Sequence, residues 1–313
     1  MSRSSVRPLR RTALAAGSVL TLVALAACTS TAPGAGGEDG ASTLERLQQD
    51  GSVTVAFNGE EPYSYEDGGD LTGATIALDR EIFGALGVEN VEGVQTEWNS
   101  LIPGLTAGRY DAVSAGMSIL PERCEQALFS EPEIMYTTAF MVPEGNPDDL
   151  TDMQSAEEAG VKLAVLSGAI ESGYADDLGI EKIEVGAAQD GLDAVTSGRA
   201  DAFALTAISL NTLAEKTDAA VEVTDSFVAV IDGVPQIGAG AQTFPQGEEE
   251  LRDAYNEKLA EIVSDEERWL EIVGPFGFTA AERPVEGLTT EKLCEGDLES
   301  LATELAPELG LDG

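Results

Sequence analysis

Between residues 43 and 244 the hydrophobic positions recur with two spacings in turn, every second residue and then every third or fourth, with glycines at many of the changes. Residues 43–51, TLERLQQDG, predict a short amphipathic helix closed by Gly51, and residues 52–57, SVTVAF, an alternating β-branched strand. The polar loop NGEEPYSYEDGGDLTG (58–73) leads to ATIALDREIFGALGV (74–88), where Ile76, Leu78, Ile82 and Leu86 keep helical spacing up to Gly87. The grammar repeats in VEGVQTEW (91–98, strand), NSLIPGLTAG (99–108, helix) and YDAVSAG (110–116, strand). Alternating strands and helices predict a largely parallel sheet.

A second block with the same grammar follows Pro143: VKLAVLSG (161–168), KIEVGA (182–187) and ADAFAL (200–205) as strands, AIESGYADDLG (169–179) and AQDGLDAVTSG (188–198) as helices. After VPQIGAGAQTF (234–244) the chain becomes helix-rich, above all in residues 247–277. The block at 141–238 therefore looks inserted between two pieces of the first. The expectation is an α/β chain of two lobes, one from 44–140 and 239–313, the other from 141–238. Two crossings near 140 and 239 make a hinged pair with a cleft between them. Ligands of open parallel sheets sit beyond the carboxyl ends of the strands. That rule selects Glu60, Tyr63, Trp98, Ser118, Arg123 and Thr206, which a shared cleft would bring together.

Composition narrows the partners. The 313 residues, 43% of them hydrophobic, suffice for two real cores, but 57 acids against 17 bases and no histidine give a formal charge of −40. Such a body repels nucleic acid and anionic membrane surfaces, and it suits a salt-rich medium that screens its self-repulsion. The first 27 residues read as an address: Arg3, Arg7, Arg10 and Arg11 precede an apolar run that ends in LAAC. This resembles the lipobox of bacterial lipoproteins, which implies lipidation of Cys28, a flexible tether over 28–43 and anchoring on the outer face of the cytoplasmic membrane. Arg10 and Arg11 leave both the general and the twin-arginine export routes open. Cys124 and Cys294 then remain in an oxidising medium, where a bridge between them would contribute on the order of 4 to 5 kcal/mol on the chain-entropy model. Two buried free thiols are the alternative.

Catalytic machinery is hard to assemble from this chain. It has no histidine, no C-x-x-C pair, no phosphate-binding G-x-x-x-x-G-K-[ST] loop and no cluster of metal-ligand spacing, and GAGAQ lacks the third glycine of a dinucleotide fingerprint. No cofactor or metal is expected, and binding rather than catalysis is the reading. Arg123 offers a planar fork for a carboxylate, with the Ser118 hydroxyl five residues upstream able to assist. Glu60 can accept from a cation, and Tyr63 and Trp98, in polar surroundings at strand ends, can wall it. The bland readings are a surface arginine paired with one of many acids, an exposed glutamate and two core aromatics.

Residues 102–132, IPGLTAGRYDAVSAGMSILPERCEQALFSEP, together with GRADAFALTAIS (198–209), resemble the amino-acid type family of solute-binding proteins that feed ABC importers. More narrowly, PERC (121–124), AFMVPEGNP (139–147), GPFGF (274–278) and EKLC (291–294) are similar to the ectoine/hydroxyectoine-binding subgroup. The resemblance implies a type II Venus flytrap, a single copy that closes over a small zwitterion and hands it to a membrane permease. It implies that Arg123 with Ser118 takes the ligand carboxylate, and that Glu60, Tyr63 and Trp98 surround a cationic ring. Thr206 stands where amino-acid binders place an aspartate for the α-amino group, which points away from a plain amino acid. Ser118 departs from the aromatic expected in ectoine binders, and Ile170 from the hydroxyl residue expected in both groups, so the second-lobe contact falls to apolar surface or to backbone near Gly168. A polar amino-acid binder of the same fold is the close alternative, and an exported dehydratase-like enzyme the distant one.

Overall fold

Ser42 opens the folded chain. Its side chain accepts from the backbone N–H of Glu45, the Glu45 carboxylate caps the Ser42 N–H in return, and the helix Thr43–Asp50 ends at Gly51 in the left-handed conformation. The computed structural model describes residues 41–309. The expected signal peptide at 1–27, the lipidation at Cys28 and the tether up to residue 40 lie outside the described residues. Ser42 and Thr43, assigned to the tether by sequence, already belong to the folded lobe.

Two sheets carry the two lobes. In the first, the strands Asn90–Gln95, Ser52–Phe57 and Ala112–Ser118 lie side by side and parallel, and Gly238–Phe244 pairs antiparallel with the last of them. Leu128–Phe129 and Ile134–Tyr136 pair antiparallel with Gly238–Phe244. In the second, Glu181–Val185, Lys162–Leu166 and Ala202–Thr206 are parallel, Thr138–Pro143 runs antiparallel to Ala202–Thr206, and Val221–Val223 antiparallel to Thr138–Pro143. The largely parallel sheet expected from the alternation is thus corrected: only the three βα-linked strands of each lobe are parallel. A parallel neighbour needs a crossover connection, usually a helix. Thr138–Pro143 and Gly238–Phe244 enter their sheets straight from the other lobe instead. Thr138 already pairs in the second sheet and Gly238 in the first, so the chain crosses a few residues before 141 on the way out and just before Gly238 on the way back.

Each sheet is covered on both faces, which is why its strands read as nearly continuous apolar runs. In the second lobe, Ala139, Met141, Ala164, Leu166, Phe203 and Leu205 pack on one side while Phe140, Val142, Leu163, Val165, Ala202 and Ala204 pack on the other, the period of two expected of a strand. In the first lobe Val53 and Val55 join Phe83, Phe244, Tyr255 and Trp269, whereas Ala56 faces Leu101, Val113, Met117 and Leu305. No helix of the described residues is long and apolar enough to cross a membrane.

Differences from the sequence reading cluster at the cleft. The polar loop 58–73 contains a small hairpin, Tyr65–Asp67 with Asp70–Thr72, turned by Gly68 and Gly69 at positive φ. The strand expected over 91–98 stops at Gln95, and Trp98 opens a short 3-10 turn, Trp98–Ser100, ahead of the helix Leu101–Thr106.

Candidate functional site

The carboxyl ends of both parallel strand sets face one small, partly open cavity between the lobes. Glu60, Tyr63, Trp98 and Ser118 line it from the first lobe, and Ile170 and Thr206 from the second. Arg123 and Gly168 line the adjoining interlobe cavity, which shares Ser118, Tyr136, Ala169 and Ile170 with the first. All eight residues selected by sequence therefore meet at the lobe interface, although Arg123 and Gly168 stand at its rim rather than in its centre.

Glu60 sits in the loop after Ser52–Phe57 and is 8% exposed. Its Oε2 accepts from Asn58 Nδ2 at 3.2 Å, and its Oε1 accepts from Ser209 Oγ of the second lobe at 2.7 Å. Thr206 Oγ1 donates in turn to Ser209 Oγ at 3.1 Å, so a hydroxyl chain runs from the aspartate-type position to Glu60. Burial pushes the Glu60 carboxyl above its ordinary value, and the hydroxyl and amide donors pull it part of the way back.

Tyr63 is buried against Phe278, ring centroids 5.6 Å apart and edge-on, and its Oη has no hydrogen-bond partner among the described residues. Two glycines make room for it. A Cβ on Gly73 would fall 2.2 Å from the Tyr63 carbonyl oxygen, and one on Gly116, at φ +55°, 2.7 Å from the Tyr63 ring. Tyr136, absent from the sequence reading, also lines the cavity, with its Oη donating to the Ala239 carbonyl at 3.2 Å. It supplies, from the hinge segment Ile134–Tyr136, the aromatic surface that Ser118 does not.

Arg123 lies in the four-residue helix Pro121–Cys124, 8% exposed. Nη1 donates to the Ser118 carbonyl at 3.0 Å and Nη2 crosses to the Gly168 carbonyl at 2.8 Å, with the guanidinium carbon 5.6 Å from the centroid of the Trp98 ring. Trp98 Nε1 donates to the same Gly168 carbonyl at 3.1 Å. Gly168 thus faces the first lobe with its carbonyl. Desolvation weakens the Arg123 proton affinity, yet the guanidinium stays charged at any physiological pH. Cys124 and Cys294 are joined, Cα atoms 5.8 Å apart, which ties the Arg123 turn to the helix Thr290–Glu295.

Glu171 is the second acid on the cavity wall, and nothing in an acid-rich chain marked it. The available signal was its place beside Ile170, at the start of the helix that follows Lys162–Leu166. Leu166 and Leu205 add apolar surface at the ends of their strands. The site as a whole sets one buried cation and two buried acids around aromatic walls, with Ser209–Glu60, Arg123–Gly168, Trp98–Gly168 and Lys216–Glu61 spanning the two lobes.

Two α/β lobes joined by two crossing strands and shut over a polar, aromatic-walled cavity define a solute receptor that closes around its cargo. The chain belongs to the bacterial extracellular solute-binding proteins, family 3, whose profile matches residues 53–271. It is 36% identical over 261 residues to the probable amino-acid ABC transporter periplasmic-binding protein y4tE of Sinorhizobium fredii, covering 82% of this chain and 87% of that one. The solved structure of EhuB in complex with hydroxyectoine is similar at 33% identity and a TM-score of 0.72, covering 80% of this chain and 97% of EhuB. A shorter stretch of 114 residues, 36% of this chain and 42% of the other, is 33% identical to cyclohexadienyl dehydratase of Pseudomonas aeruginosa. The protein is an extracytoplasmic solute-binding protein.

Proposed function

We propose that the cavity binds a small zwitterion, ectoine or hydroxyectoine above others, and that the receptor performs no chemistry on it. The carrying observation is the pairing of Arg123 at one end of the interlobe site with Glu60 at the other, and Tyr63, Trp98 and Tyr136 between them. A carboxylate takes the Arg123 N–H groups left over from Ser118 and Gly168, with the Ser118 hydroxyl beside it. A delocalised cyclic cation rests on the aromatic faces, each contributing on the order of 0.5 to 2 kcal/mol, with its charge toward Glu60. Thr206 in place of an acid and the similarity to EhuB support this ligand class over a plain amino acid.

A polar amino acid is the second reading, favoured by the Ser118 hydroxyl and by the likeness to y4tE. A thermal-shift panel of ectoine, hydroxyectoine, glycine betaine, glutamine and arginine separates the two. A ligand at 100 times its dissociation constant adds about 2.7 kcal/mol of stability. The largest shift is expected for ectoine or hydroxyectoine; a larger one for an amino acid replaces the first reading with the second. Turnover of a carboxylic acid on incubation would instead favour a dehydratase-like enzyme.

The receptor is further proposed to be exported, processed before Cys28 and held to the membrane by a lipid on that cysteine, acting as a single copy with its permease. Loss of lipid labelling in a Cys28→Ser variant tests the anchor.

A further inference from the structure

Glu171 has a carboxyl group with too few partners. It lies in the first turn of the helix Ile170–Asp177, is 1% exposed, and shares the cavity wall with Glu60. Among the described residues its Oε1 accepts one long hydrogen bond, 3.5 Å from Thr138 Oγ1, and its Oε2 accepts none. Among the described residues it belongs to no ion pair. Buried polar groups are almost always satisfied, and a buried carboxylate above all requires donors. Here the unsatisfied oxygen belongs to a side chain that borders the ligand cavity.

We propose that Glu171 is a second acidic contact for the bound solute, so that the cavity selects a cationic group offering at least two N–H donors, one toward Glu60 and one toward Glu171. This rests on the zwitterion reading of the cavity and adds a rule of exclusion to it. A quaternary ammonium zwitterion such as glycine betaine carries the same formal charges as ectoine but has no N–H. It would leave Glu171 unsatisfied and Glu60 with only its protein donors. The amidinium of ectoine or the guanidinium of arginine serves both acids. Rejection of this kind comes from polar groups left unpaired and is stronger than a pocket of given size can achieve by shape.

The electrostatics agree. Burial raises the Glu171 carboxyl to about 7, the Glu60 charge adds to the rise, and Thr138 and Arg123 oppose it. Tyr63, Tyr136 and Tyr174, the other ionisable groups near it, are pushed up by burial and stay neutral. A cation lodged between Glu60 and Glu171 would favour the charged form of both.

Calorimetry at pH 7 with ectoine, L-arginine and glycine betaine tests the inference on the wild type, Glu171→Gln and Glu171→Asp, each first shown to be folded by its melting curve. The wild type should bind ectoine or L-arginine and reject glycine betaine. Glu171→Gln should weaken binding of that N–H ligand roughly 10- to 100-fold, and Glu171→Asp, which keeps the charge, should recover part of the loss. Unchanged affinity in a folded Glu171→Gln, or wild-type binding of glycine betaine as tight as that of ectoine and L-arginine, overturns the role of Glu171 and leaves the zwitterion site standing. Wild-type protein that binds none of the three overturns the ectoine reading of the cavity, and this inference with it.

Discussion

Arg123 of the first lobe donates to the backbone carbonyl of Gly168 in the second at 2.8 Å, so the side chain proposed to grip the ligand carboxylate also holds the lobes shut. Trp98 Nε1 reaches the same carbonyl at 3.1 Å. On the proposed role of Arg123, one guanidinium couples closure to recognition. The remaining N–H groups of that fork are what a carboxylate can use.

Arg123→Ala should weaken the ligand by about 2 to 5 kcal/mol, because the buried carboxylate loses its partner. Arg123→Lys keeps the charge but not the fork, and should recover only part of that loss. Titration calorimetry measures both, and small-angle scattering should show the Arg123→Ala lobes further apart. Near-wild-type affinity in Arg123→Ala would remove this residue from the site.

The bond between Cys124 and Cys294 follows Arg123 by one residue and joins segments 170 positions apart. Reduction, or Cys124→Ser with Cys294→Ser, should lower the unfolding free energy by roughly 2 to 5 kcal/mol. Ligand affinity should fall as well, since the Arg123 turn loses its anchor on the helix Thr290–Glu295. Denaturant titrations with and without reductant check the first, and calorimetry on the reduced protein the second.

Tyr255 Oη lies 2.9 Å from Asp79 Oδ1 and 2.6 Å from Glu133 Oε1, deep in the first lobe. A hydroxyl has one proton to donate, so one of the two carboxyls must carry a proton and donate to the tyrosine oxygen. Burial raises Asp79 to about 7 from an ordinary 3.8 and raises Glu133 well above its usual range, while Ser114, Tyr255, Gln242 and the charge of Arg80 pull Asp79 back. Because the folded state holds this proton more tightly than the unfolded chain, its stabilising contribution is complete below about pH 4 and declines as pH rises through 7. The decline is about 1.4 kcal/mol per pH unit for each proton released only on unfolding. Asp79→Asn should flatten the pH dependence of the unfolding free energy between pH 4 and 7 relative to wild type. Parallel curves for the two proteins would exclude the shared proton.

Gly116→Ala places a Cβ 2.7 Å from the Tyr63 ring on a residue at φ +55°. Overpacking and the left-handed backbone each cost on the order of 1 to 3 kcal/mol, so Tyr63 must shift or the lobe must loosen. The variant should lose ligand affinity and melt earlier, as read by calorimetry and thermal denaturation. Gly51→Ala, at positive φ but with open space around its Cβ position, should melt earlier without losing affinity.

Much of the first half of each lobe was legible because its determinants are local. The helix capped by Ser42, the strand Ser52–Phe57 and the βα units of the second lobe follow from caps, periodicity and glycines. Tyr136 and Glu171 were not legible. One rides a hinge strand that follows no βα grammar, and the other is one acid among 57.

By itself the sequence determined the alternation of elements, the inserted second block and the small set of strand-end residues from which a site could be drawn, since these depend on neighbours along the chain. Tertiary structure alone decided the antiparallel hinge strands, the union of Cys124 with Cys294 and the approach of Ser209 to Glu60. Pairing across long separations depends on how two lobes fold back on each other, and no local pattern encodes which partner a side chain meets there.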